Sequence, residues 1–387
     1  MGETVVGFLN YLRNSYLREF SRIAGKNPRL QIVCGNESAD LDSVVSAITY
    51  AYFSYIKDPS RPFLPVLNIL RADLELRRDI VWVLKQRNIP YGLLYFQEDI
   101  QGLRNQLNCP IDAVLVDHND TQSTARELVD SVIAIIDHHE DLGLHKDILE
   151  RQCGPRIIEK AGSCSSLVYN YWNGLLGPQM NRADTRAPCL GLAALLIDTS
   201  NMSYKVEQPD VQAHKSFRGS IRDLDFDEYF AQIRRAKDDI VGLPLRDVLR
   251  KDYKEFDFLK GRGGAIRCGM ASVVKPLQWL ERQFQDQEFK ATSSKFLKER
   301  NQDVLLILTS WTDDENRFSR QLAFYAETKQ NTETVCKLAD LVRDKLQLRP
   351  IQILDIPDER FRFYAQENTN ASRKQVVPYM EEACRQL

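Results

Sequence analysis

Three acidic clusters each follow a short apolar run. Asp40 and Asp42 lie in GNESADLDS after LQIVC, Asp117-His118-Asn119-Asp120 follows DAVLV, and Asp137-His138-His139-Glu140-Asp141 follows VIAII. Three of the five histidines, 118, 138 and 139, fall in two of these clusters. So many carboxylates in one place repel and raise one another's pKa unless a cation neutralises them. Hard oxygen ligands with a few imidazoles and no accompanying cysteine suit Mg, Mn or Co better than a thiolate zinc site. Carboxylates shared by two ions about 3.5–4 Å apart are a usual device for phosphoryl hydrolysis, with a bound water made nucleophilic near neutral pH. The residues therefore predict a dinuclear phosphohydrolase. Plainer readings stand beside this one: Asp40 and Asp42 as helix caps, the paired histidines as a solvated turn, and Asp198 in LLIDTSN as a helix terminator.

The clusters act together only if a fold brings them to one edge. From about residue 30 to 200 apolar strand patterns alternate with helix patterns, which is α/β reading. Continuous Val/Ile/Leu runs suit parallel strands buried on both faces. In such sheets ligands bind outside the carboxyl ends of the strands, where all three clusters would fall. Residues 205–235 lose apolar periodicity and read as a connection with one helix and a plausible hinge. Strand and helix patterns then resume as an α+β lobe with a mixed sheet. The expected division is 1–210, a link over 211–240, and 241–387.

Two lobes also follow from length, since 387 residues exceed the roughly 250–300 at which single cores stop growing. A net charge of -2 with 27% charged residues gives no global basic field for nucleic acid. The eight scattered cysteines form no CxxC pair, the first residues lack a signal-peptide pattern, and a cytoplasmic protein is expected. MGETVV lacks the hydroxyl residue of a myristoylation site. No apolar run is long enough for a membrane span.

Cations near a helix start supply a second clue. In ENTNASRKQVV, Ser372 and Gln375 fit a capping box, which puts Arg373 and Lys374 on the positive end of a helix, an anion pocket rather than a stable place for cations. Arg77 and Arg78 also stand near a helix start, where a solvated charged face is the plainer reading. GSCSS reads as a helix entry, with Cys164 a small buried residue.

GNESADLDS, VDHND, IIDHHED and LIDTSN resemble motifs one to four of the DHH phosphoesterase superfamily. The second lobe, with KDYKEF and SRKQVVPYM, resembles the DHHA2 accessory domain of family II inorganic pyrophosphatases, fungal-type exopolyphosphatases and prune-like proteins. The resemblance spans about 30–387 and is greatest to the yeast-type cytosolic exopolyphosphatases. It implies an active site in the cleft between the lobes and removal of the terminal phosphate from inorganic polyphosphate by a monomer using two divalent ions. Asp40, Asp117 and Asn36 match ligands of the first ion, with Asn36 where the pyrophosphatases have histidine. Asp42, Asp117, His138 and Asp198 match those of the second. His139 matches a phosphate contact able to act as acid, and His118 a supporting residue or phosphate contact. Lys254, Ser372, Arg373 and Lys374 match phosphate-binding positions. A carboxamide is a weaker donor than imidazole, so the first ion should be held less tightly. Pyrophosphate hydrolysis, prune-like nucleotide phosphodiester hydrolysis and a degenerate regulatory binder are the alternatives.

Overall fold

The computed structural model describes residues 4–23, 28–122, 125–313, 315–355 and 357–387. The lipidation question at Gly2 lies outside them. The chain divides into two compact units, Met1–Asp239 and Ile240–Leu387.

In the first unit, β1 (Leu30–Cys34), β2 (Leu64–Leu67), β3 (Tyr95–Phe96), β4 (Ile111–Val116), β5 (Ser131–Asp137) and β6 (Arg156–Ile158) form one sheet in the order β3-β2-β1-β4-β5-β6. Every neighbouring pair is parallel. The apolar runs of β1 and β4 fit their central place, since both faces are covered and β4 is buried throughout. Strand order reverses between β1 and β4, and the crevice above such a switch is where doubly wound sheets bind ligands. The Leu41–Lys57 helix leaves β1 with all of residues 41–54 buried, which locks the β1 turn to the core.

The segment expected as a link is part of this core. It forms two helices, Gln208–Ser220 and Phe226–Asp238. Asp225 caps the second by accepting from the amides of Asp227 at 2.9 Å and Glu228 at 3.1 Å. Ala213, Phe217, Phe226, Tyr229 and Ile233 join the same buried cluster as the sheet. The apolar positions recur at helical spacing, but sparsely, and charged outer faces hide them.

The second unit holds β7 (Tyr253–Leu259), β8 (Ala265–Val273), β9 (Val304–Thr312), β10 (Phe318–Tyr325), β11 (Leu348–Pro350) and β12 (Phe361–Gln366), in the order β11-β12-β10-β9-β8-β7. Only β8 and β9 pair in parallel, so the sheet is mixed as expected. Its core includes Met270, Leu306, Phe324, Val342 and Val376. No helix among the described residues is long and apolar enough to cross a membrane.

Glu327, just after β10, binds Lys298 Nζ at 2.9 Å and the Tyr325 hydroxyl, with Arg360 at 3.5 Å. Burial alone would raise its pKa, but the Tyr325 and Lys298 hydrogen bonds win and hold it down to about 2 from 4.5. A depressed carboxylate contributes stability above its unfolded pKa and loses it as pH falls through the folded one. Glu327→Gln should therefore cost about 1–2 kcal/mol at neutral pH. In urea unfolding at several pH values, the gap from wild type should be full at pH 7 and narrow below about 4.5.

Candidate metal centre

The β1 turn is built to pass close over a helix start. A Cβ on Gly35 would come within 2.7 Å of Ser43 Cβ, so only glycine fits. Asn36 Oδ1 accepts the amides of Ser38 at 2.9 Å and Ala39 at 3.1 Å, and Ala39 takes a left-handed φ of 40°. Asp40 then caps the Leu41–Lys57 helix by accepting from Ser43 N at 3.1 Å. Asp42, in the first turn of that helix, is buried and receives the amides of Cys164 at 2.6 Å and Ser165 at 2.8 Å. Those amides open the Cys164–Leu176 helix, whose positive end favours the carboxylate. One turn thus aims two carboxylates differently, and capping explains Asp40 only in part.

Asp117, at the end of β4, is the hub. It accepts from Ser43 Oγ at 2.6 Å and Asn36 Nδ2 at 2.8 Å on Oδ2, and lies 3.0 Å from His138 Nε2 on Oδ1. Its φ of 63° is left-handed for a non-glycine residue, a strain that surrounding contacts must hold and that clusters at functional sites. His138 Nδ1 donates to Ala161 O at 2.8 Å, which leaves Nε2 facing the carboxylates, the arrangement of metal-binding histidines. His139 Nδ1 meets Asp137 Oδ1 at 2.8 Å. Asp137 is fully buried and also receives Asn119 Nδ2 at 2.5 Å and the amide of His138 at 2.8 Å.

The electrostatics call for positive charge. Burial, then the Asp117 charge, raises the pKa of Asp40 and pushes Asp42 up to about 7. Burial, then Asp42 and Asp40, lifts Asp198 well above the usual carboxylate range. Burial opposes protonation of His138, but its Asp117 hydrogen bond and the Asp42 charge push its pKa up to about 10. Asp198 Oδ2 is buried with no hydrogen-bond partner among the described residues. An orphaned oxygen among crowded carboxylates is what a divalent cation satisfies, so the donor set fits one.

Asp117, His138 and His139 bring ligand atoms within 4.8 Å of one another. Asp42 lies 4.0 Å from His138 Nε2, and the charges of Asp117 on Asp40 and of Asp42 and Asp40 on Asp198 disfavour their ionised forms. The Asn36 oxygen is committed to its own turn and its NH₂ faces Asp117, so a donor rather than a ligand points at the centre. His118 is buried, with Nδ1 2.9 Å from Val116 O, and is not presented for substrate contact.

In the second unit, Ser372 caps the Arg373–Arg385 helix as expected, its N–H donating to Gln375 Oε1 at 3.0 Å. Arg373 is not a loose cation: it binds Asp252 Oδ1 at 2.7 Å and Asp252 O at 3.0 Å. That pair ties the helix start to the strand carrying Lys254, and both Lys254 and Lys374 are exposed. Sequence reasoning missed Ser43, Asp137 and Asp210 as supports. Asp210 is fully buried and accepts from Gly162 N at 2.6 Å, Ser166 Oγ at 2.8 Å and Glu207 N at 2.9 Å. The available clue for Asp137 was its place as the last residue of β5.

Comparison with known proteins agrees with this geometry. The family model described as "DHH family, N-terminal domain" matches residues 31–197, and the "DHHA2 domain" model matches 231–383. A Schizosaccharomyces pombe protein named "Putative exopolyphosphatase" is 32% identical over 93% of this chain and 92% of its own length. Human "Exopolyphosphatase PRUNE1" is 28% identical over 92% of this chain and 75% of its length. A "Probable manganese-dependent inorganic pyrophosphatase" of Lactiplantibacillus plantarum is 22% identical over 63% of this chain and 71% of its length. The crystal structure titled "Methanococcus jannaschii putative family II inorganic pyrophosphatase" shares the fold, with a TM-score of 0.52 and 21% identity over 92% of this chain and 99% of that one. Three acidic motifs at the ends of parallel strands, a fourth at the end of the Arg186–Asp198 helix, a mixed-sheet second unit and these likenesses together show that the chain belongs to the DHH phosphoesterase family with a DHHA2 domain.

Proposed function

We propose that this protein is a divalent-metal-dependent exopolyphosphatase that removes the terminal phosphate from inorganic polyphosphate. The observation that carries the reading is the meeting of Asp42 and Asp117 with His138 beside the β1/β4 switch, with an Asp198 oxygen buried and unpartnered among the described residues. The similarity to proteins named exopolyphosphatases supports the choice of substrate.

Asp40 and Asp117 would hold one ion, and Asp42, Asp117, His138 and Asp198 a second, with Mg, Mn or Co suited to the set. Bound there, divalent ions polarise phosphoryl oxygens and make water nucleophilic near neutral pH. The chain's own residues do the rest. Ser43 and Asn36 fix one Asp117 oxygen and leave the other directed at His138. Asp137 holds His139 by Nδ1 and raises its pKa, chiefly through that hydrogen bond. The Nε2–H of His139 can then hold a phosphate oxygen or give it a proton. In the second unit, Lys254, Arg373, Lys374 and the Ser372 helix start are proposed phosphate contacts, with Arg373 fixed by Asp252.

The reading is tested by phosphate release from pyrophosphate, tripolyphosphate and long-chain polyphosphate, with Mg or Mn and after chelation. Metal-dependent release from long chains with little from pyrophosphate is expected; the opposite preference makes the protein a pyrophosphatase. A second prediction concerns Asn36. Asn36→His adds an imidazole donor and should tighten Mn binding on the order of tenfold, the scale of changing one partner of a metal site. Isothermal titration checks this, and unchanged affinity would remove position 36 from any role in metal choice.

A further inference from the structure

The Arg186–Asp198 helix ends on a proposed ligand of the second ion, and the chain then turns left-handed. Ser200, Asn201 and Met202 take φ of 47°, 57° and 61° in succession. L-residues visit this region singly, and asparagine more readily than serine or methionine. Three in a row persist only where neighbouring contacts hold them, and such strain clusters at functional sites.

The holding contacts are of two kinds. Within the turn, buried Thr199 donates its hydroxyl to Leu195 O at 2.6 Å and accepts Met202 N at 3.0 Å, and Thr199 O receives the amides of Ser203 and Tyr204 at 2.9 Å each. Asn201 N closes back on Leu196 O at 2.7 Å. From outside the turn, Asn201 Nδ2 donates to Asp227 Oδ1 at 2.7 Å. Asp227 stands in the first turn of the Phe226–Asp238 helix, part of the segment expected as a link. That helix is itself fixed, since the Tyr229 hydroxyl donates to Cys189 O at 3.3 Å and Ile233 is fully buried. It therefore grips the Asp198 helix near its start and the turn after its end.

The turn also bears on the support of Asp42. A Cβ on Gly162 would meet Thr199 Cγ2 and Lys205 O at 2.6 Å. Just beyond Gly162, the amides of Cys164 and Ser165 hold Asp42, and Ser165 Oγ donates to Gly191 O of the Asp198 helix at 3.0 Å. The turn is thus wedged against the loop that fixes one carboxylate while it follows directly on the other. Any shift of the turn moves Asp198 relative to Asp42.

We propose that Asn201 is a positioning residue for Asp198: its bond to Asp227 clasps the left-handed turn onto the Phe226–Asp238 helix and so sets the affinity of the ion that Asp42 and Asp198 share. The inference rests on the two-ion reading of the metal centre. It gives the Phe226–Asp238 helix, which carries no proposed ligand, a part in metal retention, as outer partners of ligands commonly have.

Isothermal titration of the chelator-treated full chain with Mn tests it in Asn201→Ala, Asn201→Gly, Asp227→Ala, Asp227→Asn and the Asn201→Ala/Asp227→Ala pair. Asn201→Ala, Asn201→Gly and Asp227→Ala should each weaken one Mn step about fivefold, the scale of one partly exposed hydrogen bond to a charged group, and leave the other step within about twofold. Asp227→Asn keeps an oxygen that accepts the same bond and should stay within about twofold of wild type. The pair should be no weaker than either single variant, because both remove one interaction. Asp227 is exposed and glycine accepts the left-handed backbone, so Asp227→Ala and Asn201→Gly carry the test even if Asn201→Ala misfolds. A urea midpoint that falls while both Mn steps hold, both steps weakening alike, or Asp227→Asn as weak as Asp227→Ala overturns the inference. Wild type that takes up no Mn, or a single ion, overturns the two-ion reading itself, an outcome distinct from wild type that binds two ions and variants that match it.

Discussion

Asp117→Ala should lower phosphate release by about 10³-fold or more at saturating Mg or Mn, at or beyond the 10²–10³ lost with a single oxyanion-hole donor. Ser43, Asn36 and His138 all bond the two Asp117 oxygens. Alanine leaves three polar groups pointing at a void and removes the carboxylate proposed to serve both ions. Asp117→Asn is the sharper variant, because it keeps the shape while turning one acceptor into a donor that faces Ser43 or His138. Folding of each variant is checked by circular dichroism and phosphate release by colorimetry. Near-normal turnover of either at saturating metal would refute a shared carboxylate.

Asp210→Ala should be the most damaging change outside the metal ligands, costing about 3–5 kcal/mol. The carboxylate is fully buried and gathers the amides of Gly162 and Glu207 and the Ser166 hydroxyl. Truncation leaves these donors buried and unpaired. Gly162 has no room to shift, since a Cβ there would meet Lys205 O and Thr199 Cγ2 at 2.6 Å. At about 2–4 °C per kcal/mol for a unit of this size, the melting midpoint should fall by roughly 6–20 °C. The same residues open the Cys164–Leu176 helix, whose amides hold Asp42, so metal affinity should fall as well. A melting midpoint within about 2 °C of wild type would show that water replaces the carboxylate.

The candidate metal centre was legible because its signal is local. An apolar strand followed at once by Asp or Asp-His marks the carboxyl end of a parallel strand, and the strand order then brings Asp40, Asp117 and His138 together. Orientation was not legible. The side chain of Asn36 can offer oxygen or NH₂, and which one faces Asp117 depends on Ser38 and Ala39 taking the oxygen. His118 neighbours the hub in sequence, yet the left-handed turn at Asp117 sends it into the interior. Asp210 looks like any solvated acid within a charged stretch, and its main partner stands 48 residues away. The two helices around it were hidden because Phe217, Phe226 and Ile233 are spread thinly among charges. Arg373 looked like a free cation at a helix start until its Asp252 partner, 121 residues distant, came into view.

The most direct test of the central claim is the product distribution from long-chain polyphosphate, followed by phosphorus NMR with Mg or Mn present. Orthophosphate should appear as the small product from the start while the remaining chains shorten from their ends, and a chelator should stop the reaction. Early accumulation of mid-length fragments, consumption of added pyrophosphate while long chains persist, or release that survives chelation would contradict a metal-dependent exopolyphosphatase.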